Sequence, residues 1–168
     1  MLDTLITSKT RLRLLIKFFL NITNKGYLNG LANEFGESTN SIRKELNNLS
    51  SAGYLDKHNE NNKVIYKANV FHPLFKIIQK IVKKHLGIED ILETVLKRIG
   101  DVKKIMILGD YAEGVDSGHI EILIVGDKVN EDYLKLITPK IEKKINRKVS
   151  FFVSNSILKQ KTLTIFEA

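Results

Sequence analysis

Residues 105–125 read Ile-Met-Ile-Leu-Gly-Asp-Tyr-Ala-Glu-Gly-Val-Asp-Ser-Gly-His-Ile-Glu-Ile-Leu-Ile-Val, and this stretch constrains the fold more than any other. Four apolar residues run into Gly109, a short mixed segment follows, and from His119 polar and apolar residues alternate. An apolar run ended by glycine suits a buried strand, and period-two alternation suits a second one. The pattern predicts strand, glycine turn, short helix or loop, then strand. Upstream, Ile88, Ile91, Leu92, Val95, Leu96 and Ile99 predict a helix over 88–99, with Glu89, Asp90 and Glu93 near its N-terminus, where the helix dipole favours acids. Strands are predicted at 104–108, 119–125 and 149–153. A helix is predicted over 130–145 through Leu134, Ile137, Ile141 and Ile145, with Pro139 producing a kink or a division into two shorter helices. Residues 157–166 are expected to finish the chain with a short helix and an edge strand.

The order helix-strand-strand-helix-strand, with a glycine turn after the first strand, resembles the minimal nucleotidyltransferase fold over about residues 88–160. In that family a Gly-Ser turn follows the first strand, and Asp-x-Asp lies on the second. Here Gly109 is kept, Asp110 replaces the serine, Gly114 shapes the following segment, and His119 and Glu121 occupy the two acidic positions. Residues at i and i+2 of a strand share one face, so Asp-x-Asp delivers two carboxylates to one site. Two-metal transfer needs such carboxylates around divalent ions, and magnesium requires hard oxygen ligands, for which imidazole is a poor substitute. The family's third acid falls on the next strand, where Lys148-Val149-Ser150-Phe151-Phe152 has no carboxylate. Asp110 also brings negative charge to the turn that holds triphosphate in the family. The resemblance thus implies the family's fold without its catalysis: no catalytic residue, no metal, no cofactor. Asp110, Asp116 and Glu121 with His119 are the groups from which a different metal site would have to be built. The plainer alternative is surface acids on a loop.

The N-terminal half carries a second pattern. Leu12, Leu15, Ile16, Phe19 and Leu20 give a helical stripe over 9–20. A break at Asn24-Lys25-Gly26 precedes a short helix with Leu28, Leu31, Ala32 and Phe35 on one side, closed by Gly36. Ser38 is a suitable N-cap for a third helix, whose Ile42, Leu46 and Leu49 lie at i, i+4 and i+7 and which stops at Gly53. Residues 54–58 and 63–68 alternate as strands around the polar turn Asn59-Glu60-Asn61-Asn62. Three helices followed by a hairpin resemble the winged helix-turn-helix of ArsR/MarR-type regulators over about residues 9–72. In such a domain the third helix enters the DNA major groove. The resemblance implies contacts from Ser38, Thr39, Asn40, Arg43, Lys44 and Asn47, with Lys57, His58, Asn61 and Lys63 reaching phosphate or minor groove from the wing. Asparagine suits adenine and arginine suits guanine. The alternative is an ordinary polar face on an amphipathic helix. A further helix is expected over 74–86, with Leu74, Ile77, Ile78, Ile81 and Val82 at helical spacing and Lys76, Lys80, Lys83 and Lys84 outward; such a helix serves as a dimer element in the resembled regulators, the monomeric alternative being that it packs on the second domain.

Charge is divided in the same sense. Residues 1–100 hold 16 Lys/Arg against 9 Asp/Glu, while 101–168 hold 11 against 10. A basic excess on one part suits a polyanionic partner, although solvated lysine faces would give the same count. The absence of cysteine excludes disulfides, thiolate zinc sites and cysteine nucleophiles. No apolar run reaches the roughly 18–20 residues of a membrane span, and the first residues lack the order of a signal peptide, so a cytoplasmic protein without a membrane partner is expected.

The sequence thus predicts an α+β protein with a winged helix-turn-helix at 1–73, a linker or dimerisation helix at 74–87 and a degenerate nucleotidyltransferase-like domain at 88–168. The expected function is a homodimeric, non-enzymatic transcriptional regulator of double-stranded DNA, whose second domain takes a small-molecule or nucleotide effector or a protein partner. The alternative is an active nucleotidyltransferase that uses the winged helix to bind its nucleic-acid or protein target.

Overall fold

The computed structural model describes residues 2–168, and among them the chain forms seven helices and two β-sheets, a mixed α+β protein. It divides into two compact units, Met1–Val82 and Lys83–Ala168.

In the first unit, helix α1 spans Lys9–Leu20. Ser8 caps it, its Oγ accepting from the Arg11 amide at 3.1 Å and satisfying one of the N–H groups a helix leaves without partners. The expected apolar stripe is buried, and so are Leu14 and Phe18, so α1 is enclosed on several sides. Helix α2 (Leu28–Phe35) ends at Gly36, and helix α3 (Thr39–Ser51) starts from Ser38, whose Oγ accepts from the Ser41 amide at 3.2 Å. Ile42, Leu46 and Leu49 of α3 are buried as their spacing requires.

Beyond Gly53, strands β1 (Leu55–Glu60) and β2 (Lys63–Ala68) form an antiparallel hairpin with Leu55 opposite Ala68 and Glu60 opposite Lys63. The expected four-residue tip is narrowed to Asn61-Asn62. Both have positive φ, 50° and 60°, as a two-residue turn of type I′ demands, and asparagine tolerates that conformation. Gly26 exchanges two backbone hydrogen bonds with Tyr66, at 3.1 and 2.8 Å, tying the α1–α2 connection to the hairpin.

Helix α4 spans Phe75–Leu86, and the division between the units falls within it. Phe75 packs on Phe19 with ring centroids 5.7 Å apart. The stripe expected here is only partly covered: Val82 is buried and Ile78 half-buried, while Leu74, Ile77 and Ile81 remain exposed, and Phe75, outside that stripe, is buried. Periodicity identified the apolar edge of α4 but not how much of it the core could reach.

The second unit continues with α5 (Ile88–Leu96), β3 (Gly100–Leu108), α6 (Gly109–Ala112), β4 (His119–Val129), α7 (Glu131–Ile145), β5 (Lys148–Ser154) and β6 (Leu163–Glu167). The sheet order is β5-β4-β3-β6, with β4 and β5 parallel and the other pairs antiparallel. Parallel β4 and β5 need a crossover, and α7 supplies it. Strand β4 is central and buried from Ile122 to Val125. Ile120, Ile122 and Ile124 alternate with Leu123 and Val125, which form an apolar cluster with Met106 and Leu108 of β3.

Of the two alternatives expected at Pro139, the division into shorter helices is not adopted: α7 is one element containing Pro139. One expectation is corrected. Residues 157–162 form no helix, and the chain ends in strand β6 alone. Ile157 and Leu158 stay exposed, so a short helix there would have no packed face to stabilise it.

Gly100 begins β3 at φ 97°, and a Cβ there would lie 2.2 Å from the Lys128 carbonyl oxygen. Backbone cannot yield as a side-chain tip can. Gly100→Ala will therefore destabilise the second unit by more than about 2 kcal/mol, measured as a shift of its urea midpoint.

Candidate nucleic-acid interface

Helix α3 brings together Thr39, Asn40, Arg43, Lys44 and Asn47, all exposed, on the side opposite Ile42, Leu46 and Leu49. Arg43 Nη1 donates to Asn40 Oδ1 at 3.1 Å, one helical turn back, which restricts the guanidinium without neutralising it. Ser38 is exposed too, but its hydroxyl is engaged in capping α3 and lies 3.0 Å from Ser41 Oγ.

The hairpin residues differ among themselves. Lys57 and Asn61 are exposed, the latter at the turn. His58 Nε2 lies 3.1 Å from Glu60 Oε2. The Lys63 ammonium sits 4.1 Å from the centroid of the Tyr27 ring, a cation–π contact that draws it back toward the start of α2.

The only acid of α3 is Glu45, and it is buried. Arg11 Nε donates to it at 2.8 Å and Ser8 Oγ at 3.0 Å. Burial alone would raise the Glu45 carboxyl, but these two hydrogen bonds, together with the charges of Arg11 and Lys44, hold its pKa below the ordinary value. Two more acids are held by the same helix. Lys17 Nζ donates to Glu34 at 2.7 Å, and Arg13 and Thr10 both donate to Glu37. The basic excess of the N-terminal half is therefore not all available to a partner, since Arg11, Arg13 and Lys17 serve as internal counter-ions. What remains on the α3 face is positive and polar without an opposing carboxylate.

Sequence reasoning missed this arrangement. Glu45 lies three residues after Ile42, at the edge of the buried stripe, so its burial was legible in principle. Its partners, 34 and 37 residues away, were not. Equally unforeseen is a cavity of about 390 Å³ against the inner side of α3, lined by Arg11, Leu15, Asn48, Leu49, Tyr54 and Ile78 among others.

In the second unit, the motif residues do gather at one end of the sheet. His119 and Glu121 lie on β4, and Glu121 is paired with Ser150 of β5. His119 Nε2 and Ser150 Oγ are 2.7 Å apart. The Glu121 carboxylate reaches the glycine turn: a Cβ on Gly109, which has φ 58°, would stand 2.1 Å from Glu121 Oε2. Asp110 is exposed on α6, and Gly114 follows it at φ 80°. Asp116, however, is turned elsewhere. Arg147 Nε and Nη2 grip its two oxygens at 2.9 and 2.7 Å, and the Tyr111 hydroxyl donates to Oδ1. Its side chain is 25% exposed and that of Arg147 only 14%. Among the described residues no three His, Cys, Asp or Glu side chains converge in a metal-binding group. Asp110, Asp116, Glu121 and His119 are thus not assembled as one site, and Asp116 is not a free loop acid. One carboxylate with an imidazole and a hydroxyl does not fit the ligand set of a two-metal centre.

Burial alone would raise the Asp116 carboxyl, yet the hydrogen bonds from Arg147 and Tyr111 and the guanidinium charge hold its pKa below the ordinary value. Burial, and then the Asp116 bond and charge, push the Tyr111 phenol well above its usual range. Gly118 N donates to the Tyr111 oxygen at 3.1 Å, so the cluster fixes the loop that leads into β4.

No protein-family model matches the chain, and no curated protein matches it. Two solved structures resemble part of it. The transcriptional regulator BldR from Sulfolobus solfataricus is 13% identical with a TM-score of 0.39, covering 59% of this chain and 69% of that one. Sso10a-2, a DNA-binding protein from Sulfolobus solfataricus, is 17% identical with a TM-score of 0.35, covering 52% of this chain and 90% of that one. Likeness at that level carries no inference about this chain. No helix among the described residues is long and apolar enough to cross a membrane.

The Asp116 pair has a defined pH signature. Because the folded pKa is depressed, the pair stabilises the protein above the unfolded carboxyl value of about 3.9, and that contribution is lost as pH falls through the lower, folded value. Asp116→Asn will lower stability by roughly 1–3 kcal/mol at neutral pH and flatten part of the acid limb below about pH 4, both read from urea midpoints across a pH series.

Proposed function

We propose that the first unit is a winged helix-turn-helix that binds double-stranded DNA, and that the protein is a transcriptional regulator. The observation that carries this reading is the α3 face. Thr39, Asn40, Arg43, Lys44 and Asn47 are exposed together, and the one acid of the helix is buried and paired. Arginine reads guanine and asparagine reads adenine through paired hydrogen bonds in the major groove, while lysine and a hairpin bearing Lys57 and Asn61 suit phosphate. Ser38 serves the contact by ending α3 rather than by touching DNA, and Lys63 would have to leave Tyr27 to reach a phosphate.

The finer assignments belong to the same proposal. Residues 1–73 form the winged helix, 74–87 a linker helix and 88–168 a degenerate nucleotidyltransferase-like domain. The protein works in the cytoplasm as a homodimer, and the exposed Ile77 and Ile81 of α4, with Leu74 just before it, support that pairing. The second unit is a non-catalytic sensor or partner-binding module for a small molecule, a nucleotide or a protein. In support, His119 and Ser150 stand where two of the motif's carboxylates would be needed, and Asp116 is engaged by Arg147.

The charge reversal Arg43→Glu/Lys44→Glu will abolish binding to fragments of the host genome at low salt, while the melting temperature stays within about 2 °C of wild type. Folded wild-type protein that retains no genomic fragment at low salt would sink the reading.

A second reading, an active nucleotidyltransferase, draws on the approach of Glu121 to Gly109 beside His119 and Ser150. It requires incorporation of labelled nucleotide with magnesium or manganese, lost in Glu121→Gln. The first reading expects no incorporation by either protein.

A further inference from the structure

Glu37 immediately precedes Ser38, the N-cap of α3, so its backbone stands at the N-terminal end of that helix. Its carboxylate is directed away to α1. Thr10 Oγ1 donates to Oε2 and Arg13 Nη1 to Oε1, and the Glu37 side chain is only 17% exposed. Arg13 Nη1 also lies 3.4 Å from the carbonyl oxygen of Phe35, the last residue of α2. The Arg13 side chain itself is 49% exposed.

Such a half-exposed pair stabilises a fold by only about 0–1 kcal/mol. Its effect on the field at α3 is larger. The first N–H groups of a helix lack partners and carry partial positive charge, so a free carboxylate one residue away is drawn onto them. A DNA phosphate approaching that end would then meet a charge of its own sign at the place best suited to hold it.

We propose that Arg13, assisted by Thr10, is a positioning residue for nucleic-acid binding: it keeps the Glu37 carboxylate withdrawn from the N-terminus of α3. Duplex phosphates then meet a positive helix end, capped only by the neutral Ser38 hydroxyl, beside Arg43 and Lys44. Arg13 acts through Glu37 and touches no phosphate. This inference rests on the reading of α3 as the DNA-contacting helix.

The test uses the full chain and a fluorescein-labelled mixed-sequence duplex of about 30 base pairs, titrated by anisotropy over a salt series. Arg13→Gln weakens binding roughly three- to tenfold at low salt, the effect of one uncovered charge near the interface. Arg13→Gln/Glu37→Gln recovers to within about twofold of wild type, because the uncovered charge is gone. The slope of log affinity against log salt is the same in Arg13→Gln as in wild type. A double variant that binds no better than Arg13→Gln, or a slope smaller by about one in Arg13→Gln, overturns the proposal and makes Arg13 a direct phosphate contact. Glu37→Gln alone, which leaves Arg13 and Thr10 in place, binds at least as tightly as wild type; weaker binding overturns the proposal even if Arg13→Gln does not fold. Wild-type protein that fails to bind the duplex at low salt removes the DNA-contact reading and the positioning role together. Wild-type binding without rescue removes the positioning role alone.

Discussion

Arg11, Arg13 and Lys17 lie within two turns of α1 and hold Glu45, Glu37 and Glu34. The exposed side of α3 depends on this inward use of charge. Each pair by itself is a modest interaction, and only Glu45 and Lys17 are buried enough for the pairing to be obligatory. Together they decide which of the unit's charges face solvent. An isolated buried carboxylate at position 45 would be costly, and Arg11 with Ser8 removes that cost while the one acid of α3 stays buried beneath the exposed Arg43 and Lys44.

The second unit handles its acids in a comparable way. Asp116 is gripped by Arg147 and Tyr111, and Glu142 accepts from the Val149 amide at 2.9 Å and from Lys148 at 3.3 Å. These carboxylates order loops and strand ends. Near the glycine turn stand Glu121 and the exposed Asp110, with His119 and Ser150 bonded to each other on the neighbouring strands. The β5-β4-β3-β6 sheet is thereby combined with side chains that satisfy one another, and the close approach of Glu121 to the turn is possible because Gly109 has no Cβ to meet it.

Much of this was legible in the chain alone. The boundaries of α1, α2 and α3 follow from Ser8, Gly36 and Ser38, because caps are local: a hydroxyl and an amide three residues apart need nothing distant. Strands β3 and β4 follow from the apolar run into Gly109 and the alternation after it. Less legible was Pro139, where a local rule argued for a break and tertiary packing overrode it: Leu134, Ile137, Ile141 and Ile145 are all buried, and their burial keeps α7 as one helix. Residues 157–162 failed for the opposite reason, since a short apolar segment does not announce whether it is helix or connection.

What the sequence by itself determined is the succession of elements, the inward stripe of each helix and the residue types available on α3, because hydrophobic period and capping act over a few residues. What only the tertiary structure decided is which charges remain free. Arg13 and Arg43 look alike as residues on amphipathic helices, yet one is a counter-ion to Glu37 and the other is bonded only to Asn40. The same holds for Lys63, drawn onto Tyr27, and for Asp116, held by Arg147 from 31 residues away. Pairing between distant side chains depends on where the fold brings them, and no local pattern encodes it.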